Sequence, residues 1–215
     1  MTFTKDDGMA PGQASGTEGY AADADTLVAQ YESLSFADLH APVLHLMPTA
    51  PSRVLDIGAG TGRDAAAFAA MGHDVVAVEP TRALRERAAV LHPSSRIDWL
   101  DDHLPDLESL ARCGPGFEVV MLSAVWMHLD QRQRRQAMPR VARLMRRGGV
   151  MILSLRHGPV PAGRRMFDVS AEETIALAVA AGMSVILRLD NQLSAFARAD
   201  VSWTRLAFAK AKGDL

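Results

Sequence analysis

The chain has one cysteine, Cys113, in 215 residues. A single thiol excludes an intrachain disulfide and a cysteine-cluster metal site, and it fits a reducing compartment. Long apolar runs are missing too, none approaching the roughly 20 residues that a membrane span requires. The N-terminus lacks the basic, apolar and small-residue succession of a cleavable leader, so the expectation is a cytoplasmic protein with no membrane partner. Neither sign of charge dominates. A net charge of -2 gives no general attraction to nucleic acid or to an anionic surface, which points to a small-molecule substrate. Aromatics make up only 6%. None is interleaved in the arginine-rich stretch from Arg132 to Arg147, where bases would need a stacking surface. Leu129, Ala137, Val141, Leu144 and Met145 recur there at helical spacing and leave many of the arginines for a wet face.

The strongest positive signal is Val54-Leu55-Asp56-Ile57-Gly58-Ala59-Gly60-Thr61-Gly62-Arg63-Asp64, an apolar strand that ends in an acid and three alternate glycines. Glycine removes Cβ where the backbone must turn sharply and let a ligand come close, and it accepts positive φ without strain. The register is G-x-G-x-G, with Arg63 where a dinucleotide fingerprint needs its third glycine. Asp56 would repel a diphosphate but pair with a cationic amino group. A second apolar strand runs from Val75 to Glu79, and Glu79 falls 17 residues after Gly62. That leaves room for one helix, and an acid so placed accepts both ribose hydroxyls. A third strand ends at Asp101-Asp102-His103-Leu104-Pro105, where either acid could instead cap a following helix.

The segment from Asp56 to Gly62 resembles motif I of the class I S-adenosylmethionine-dependent methyltransferases, the small-molecule type. The resemblance implies S-adenosyl-L-methionine as cofactor. The turn of Gly58, Ala59, Gly60 and Gly62 would then approach its methionine part, and Asp56 would orient its amino group directly or through water. Glu79 would hold the ribose, Pro80 would border the adenine, and Asp102 or its neighbour Asp101 would accept from the adenine amino group.

Alternating strands and helices imply a parallel sheet with helices on both faces. We expect strands over 53–57, 75–79, 97–100, 117–122, 150–155, 183–189 and 201–209. Helices are expected to follow the first three, ending near residues 71, 91 and 112, with two more over 130–147 and 170–181. Arg147-Gly148-Gly149 reads as a helix stop. The resemblance implies a Rossmann-like, doubly wound, seven-stranded α/β fold in which an antiparallel last strand is inserted beside strand five. Residues 1–19 are expected as a disordered tail, 20–48 as a helical lid broken near Ser35 and Pro42, and 49–215 as the methyltransferase domain.

Chemistry is expected after strand four, because ligands of open α/β sheets gather at the carboxyl ends of strands near the topological switch. His128 aligns with a histidine common there in small-molecule methyltransferases and reads either as a general base or as a packing residue. Ser123 would lie along the methionine tail and Trp126 would wall the substrate side. At the end of strand five, Arg156 could hold a carboxylate and His157 could act as the base, unless the pair forms a routine turn. Tyr31 could face substrate from the lid, as could Tyr20 and His40, with packing as the alternative for each. Arg164 and Arg165 could meet an anionic substrate, and Trp99 and Trp203 read as core.

The function expected is methyl transfer to O, N or C of a small metabolite. Two rivals are a non-catalytic cofactor-binding regulator and a nicotinamide-dependent oxidoreductase. The glycine register and the lack of a Tyr-x-x-x-Lys pair disfavour the oxidoreductase.

Overall fold

The computed structural model describes residues 14–111 and 116–212; Cys113 and most of the expected tail lie outside them. Seven strands form one sheet: β1 (Arg53–Ile57), β2 (Asp74–Val78), β3 (Ile97–Leu100), β4 (Phe117–Leu122), β5 (Met145–His157), β6 (Met183–Leu193) and β7 (Ser202–Lys210). Their order is β3-β2-β1-β4-β5-β7-β6. The first five pair in parallel. β7 is inserted beside β5 and runs antiparallel to both its neighbours, as the resemblance implied.

The apolar runs become central strands because both of their faces are covered. Alternation sends Leu55 and Ile57 of β1 into one core cluster and Val54 into the cluster on the opposite face. The helices are α1 (Ala24–Glu32), α2 (Phe36–His40), α3 (Arg63–Ala70), α4 (Arg82–Leu91), α5 (Gln131–Leu144) and α6 (Ala171–Ala180). On one face, α5 and α6 contribute Ala137, Met138, Val141 and Ala178 to the larger cluster. On the other, Phe68 of α3 packs edge-on against Phe36 of α2 with ring centroids 5.1 Å apart. The expected break near Ser35 is an N-cap whose side chain accepts from the Asp38 amide at 3.0 Å. The break near Pro42 opens a 3-10 turn over Ala41–Leu46.

Three expectations need correction. Among the described residues, the segment between β3 and β4 forms no α-helix, only one 3-10 turn at Glu108–Leu110. Asp102 causes this: its carboxylate accepts from the amides of His103, Glu108 and Ser109 at 2.8, 3.1 and 2.8 Å and winds the loop around itself. Next, α5 starts at its Asp130–Gln133 capping box but stops at Leu144, and Met145 is already extended. Arg146, Arg147 and Gly149 therefore belong to β5 rather than to a helix end. A Cβ on Gly149 would sit 2.9 Å from the Phe117 carbonyl oxygen, so the second glycine lets β5 enter beside β4. Finally, residues 14–19, assigned to the tail, form turns, and Ser15, Gly16 and Thr17 line the central cavity. Gly16 lies so close to His128 that a Cβ there would come within 2.9 Å of the imidazole-bearing carbon.

The arginine-rich helix is structural. Arg134 is buried and donates to both carboxylate oxygens of Glu173 and to the Leu129 carbonyl, while Arg140 pairs with Asp106. Arg132, Arg135 and Arg143 lie on the exposed face.

Candidate active site

Because β2 and β3 continue from β1 in one direction while β4 and β5 continue in the other, a crevice opens at the carboxyl ends of β1 and β4. It holds a cavity of about 350 Å³, within the range of small-molecule sites. Its floor is the glycine turn, with Gly58, Gly60 and Gly62 at φ 72°, 58° and 85°. The three glycines are needed for different reasons. A Cβ on Gly58 would strike Val125 at 2.4 Å and one on Gly62 would strike Trp99 at 2.7 Å, whereas one on Gly60 would find its nearest atom only at 4.0 Å. Gly60 therefore presents bare backbone to the open cavity.

On the β2–β3 side stand Glu79, Pro80 and Asp102. Glu79 is only 5% exposed, and its two oxygens accept from the amides of Gly60 (2.8 Å) and Thr81 (2.7 Å). Each oxygen keeps a second lone pair, enough for the two hydroxyls of a ribose. Burial raises its pKa, opposed by those hydrogen bonds. Asp102 spends three acceptor positions on its own loop, so one remains. Asp101 is not part of the cavity; its exposed carboxylate pairs with Arg85 at 2.7 Å. Of the two acids considered for the adenine, only Asp102 reaches the site.

Asp56 also departs from the simplest expectation. It is 2% exposed and does not line the cavity, one carboxylate oxygen lacks a partner, and burial together with the charge of Asp64 raises its pKa well above the usual carboxylate value. Asp64, which the sequence reading passed over, takes the position at the cavity wall. Burial pushes its pKa up, but the hydrogen bonds and charges of His40 and Arg63, at 2.7 and 2.8 Å, carry it below the ordinary value. Gly58, Ala59, Gly60 and Ser123 all line the cavity, as does Thr61; Gly62 does not, being packed against Trp99. The turn after β4 is held by Ser154, whose hydroxyl accepts from the Ala124 amide at 2.9 Å while Ala124 sits at φ 59°. A non-glycine residue in that conformation is strained, and this one lies in the lining of the cavity.

His128 lines the opposite side and is 8% exposed. Its Nδ1 lies 2.8 Å from the Arg165 carbonyl oxygen and its Nε2 lies 3.0 Å from the Tyr20 hydroxyl. A carbonyl only accepts, so Nδ1 carries the proton and Nε2 accepts from Tyr20. Burial lowers the pKa of His128 and raises that of Tyr20, so both rest neutral. The ring of Tyr20 is capped by the Arg164 guanidinium 4.4 Å from its centroid, and Arg164 pairs with Asp23 at 2.7 Å. Tyr20 and His128 are 108 residues apart, too far for sequence spacing to link them.

Arg156 and Tyr31 line the cavity as expected. His157 and Trp126 do not. Adjacent strand residues face opposite ways, and His157 Nε2 meets the Thr204 hydroxyl at 2.9 Å instead. Trp126 is fully buried in the larger core cluster. His40 is also outside the cavity, tied to Asp64, and Arg165 is drawn to Ser15. Trp203, read as core, lines the cavity with Phe196 and Arg198.

Residues 54–149 match the model of the family described as a methyltransferase domain. An uncharacterized methyltransferase of Mycobacterium tuberculosis is 35% identical over 112 residues, covering 48% of this chain and 40% of that protein. Rabbit (Oryctolagus cuniculus) glycine N-methyltransferase is 26% identical over 163 residues, 64% of this chain and 55% of its own. The chain thus spans about half the length of the curated relatives it matches. Among solved structures, the (4+2)-cyclase SpnF superposes with a TM-score of 0.70 at 15% identity, covering 90% of this chain and 94% of that one. The Burkholderia thailandensis 1,6-didemethyltoxoflavin-N1-methyltransferase, solved with S-adenosylhomocysteine, gives 0.61 at 19%, covering 94% and 93%. Identities this low show the shared fold alone. The glycine turn, the strand order and the match over residues 54–149 agree: over that segment the chain is similar to methyltransferase domains, on the Rossmann-like fold shared by S-adenosylmethionine-dependent methyltransferases.

Proposed function

We propose that this protein transfers a methyl group from S-adenosylmethionine to O, N or C of a small acceptor bound in the same cavity. The observation that supports this most is the continuity of the cavity, from Glu79 and Asp102 across bare Gly60 to Tyr20 and His128. Glu79 would hold the ribose, Asp102 and Pro80 the adenine side, and the glycine turn with Ser123 the amino acid end, with Asp56 behind it. When bound, the cofactor supplies an electrophilic methyl on a sulfonium. Enclosure by the N-terminal helices, which contribute Leu27, Tyr31 and Leu39 to the lining, orients the acceptor and excludes water.

Where the acceptor must lose a proton, Tyr20 and His128 handle it. The acceptor's proton passes to the Tyr20 oxygen as the Tyr20 proton passes to His128 Nε2, leaving an imidazolium that still donates from Nδ1 to the Arg165 carbonyl. Because burial holds His128 neutral at physiological pH, it is ready to accept. Both ring nitrogens are nevertheless engaged, and a fold relative is named for a cyclisation. These facts support a second reading, in which the cofactor is bound without methyl transfer.

Calorimetry with S-adenosylhomocysteine and with NADH, followed by a labelled-methyl screen of hydroxy, amino and activated-carbon acceptors, separates the readings. Binding of the homocysteine compound with label incorporation is expected. Binding without incorporation into any acceptor class favours the second reading, and binding of NADH alone overturns both.

A further inference from the structure

The charges around the cavity do not balance locally. Three acids line it, and each is committed: Asp64 to His40 and Arg63, Glu79 and Asp102 to backbone amides. Five arginines line it as well. Arg63 is spent on Asp64 and the Tyr31 carbonyl and Arg164 on Asp23, while Arg205 donates to the Leu39 carbonyl at 2.6 Å and keeps a buried Nε without a partner. Arg156 and Arg198 are the other two outside any ion pair among the described residues. Arg156 donates only to the Gly158 carbonyl, at 3.2 Å. Among the described residues Arg198 has no hydrogen bond or ion pair, and neither arginine joins any of the ion pairs. Asp200 is close enough to Arg156 to act on its charge but does not form an ion pair with it.

Both guanidinium groups line the same cavity, and burial and then the charge of Arg198 lower the pKa of Arg156. Arg198 is exposed and Arg156 only partly covered, so both are solvated, and two like charges lining one cavity give it a positive field that attracts an anion. Their position says which anion. Arg156 ends β5 and Arg198 lies in the loop between β6 and β7, beyond β4 and on the far side of the switch from Glu79 and Asp102, which end or follow β2 and β3. That half of the crevice is the acceptor's. The rings of Tyr31 and Phe196, 6.2 Å apart and tilted, and the indole of Trp203 line the same cavity. A planar apolar body would pack against the wall these rings form.

We propose that the methyl acceptor is a small aromatic carboxylate whose acid group is held between Arg156 and Arg198. This rests on the methyltransferase reading for the word acceptor; the anion site itself does not depend on it. Planar guanidinium groups suit a carboxylate because they present parallel donors in the geometry its two oxygens accept.

The test is calorimetry of the full chain, with and without saturating S-adenosylhomocysteine, against hydroxy- and aminobenzoates and the matching benzamides. The expected result is binding of the carboxylates and binding at least about tenfold weaker for the amides, since charge-assisted hydrogen bonds to a carboxylate are roughly twice as strong as those to a neutral amide. Arg156→Gln and Arg198→Gln should each weaken the carboxylates while leaving the amides and S-adenosylhomocysteine unchanged. Equal binding of acids and amides, or no binding of any acid, overturns the proposal. So does loss of S-adenosylhomocysteine affinity in the variants, which would assign these arginines to the cofactor's own carboxylate. If the native chain binds the acids but not S-adenosylhomocysteine, the anion site stands and the methyltransferase reading falls. Thermal unfolding of each variant separates a binding loss from a folding loss.

Discussion

The contrast between Gly58 and Gly60 gives the sharpest test of where the cofactor lies. Both have positive φ, so alanine at either position carries a backbone cost of about 1–2 kcal/mol. At Gly60 that is the whole expected cost to stability, because the added methyl would meet no protein atom closer than 4.0 Å. For a domain of this size Gly60→Ala should therefore lower Tm by only about 2–8 °C. At Gly58 the methyl would also come within 2.4 Å of Val125, and overpacking adds about 1–3 kcal/mol. Gly58→Ala should thus be the less stable protein by that increment. Binding should rank the other way for its cause, if not its sign: in Gly60→Ala the methyl occupies space the ligand needs. An affinity loss of at least about tenfold, or 1.4 kcal/mol, is expected there. The assay pairs calorimetry with S-adenosylhomocysteine, well below both midpoints, with thermal unfolding of the same samples. Native affinity in a folded Gly60→Ala protein would refute the claim that the ligand crosses the bare backbone of this turn.

The remaining expectations concern the proton path, the buried acid and the helix pair. Tyr20→Phe removes the hydroxyl that reaches His128 and should lower kcat by about 10²-fold or more for an acceptor that must lose a proton. His157→Ala, altering a residue outside the cavity, should leave kcat/KM unchanged; a comparable loss in both variants would contradict the assignment. Asp56→Asn should raise Tm at neutral pH. The pKa of Asp56 is raised on folding, so the native state binds its proton more tightly, and the penalty for ionising it grows as pH rises above the usual 3.8. The gain should shrink as pH falls toward 4, and a pH-independent gain would refute this cause. Arg134→Ala strands the partly buried Glu173 carboxylate and the Leu129 carbonyl. We expect a loss of about 3 kcal/mol, read as a lower urea midpoint at unchanged m.

The sequence by itself determined the repeating strand–helix order, the glycine turn, Glu79 at the end of the second strand, and a pair of acids after the third. These are local facts, since period, turn chemistry and chain direction fix which end of a parallel strand a residue occupies. It could not choose between Asp101 and Asp102, because that depends on whether a carboxylate turns toward Arg85 or collects three amides of its own loop. Nor could it separate Arg156 from His157, where one step along β5 decides between the cavity and a bond to Thr204. The expected helix after β3 and the helical Arg146-Arg147 end failed for a related reason: hydrogen bonding by Asp102 and the close approach of β5 to β4 override local propensity. Tertiary structure alone brought Tyr20 to His128, Asp64 to the wall in front of Asp56, and Arg198 to the same cavity as Arg156. Each is a meeting of segments distant in the chain, settled by how the sheet closes and by which charges are left without a partner once it has closed.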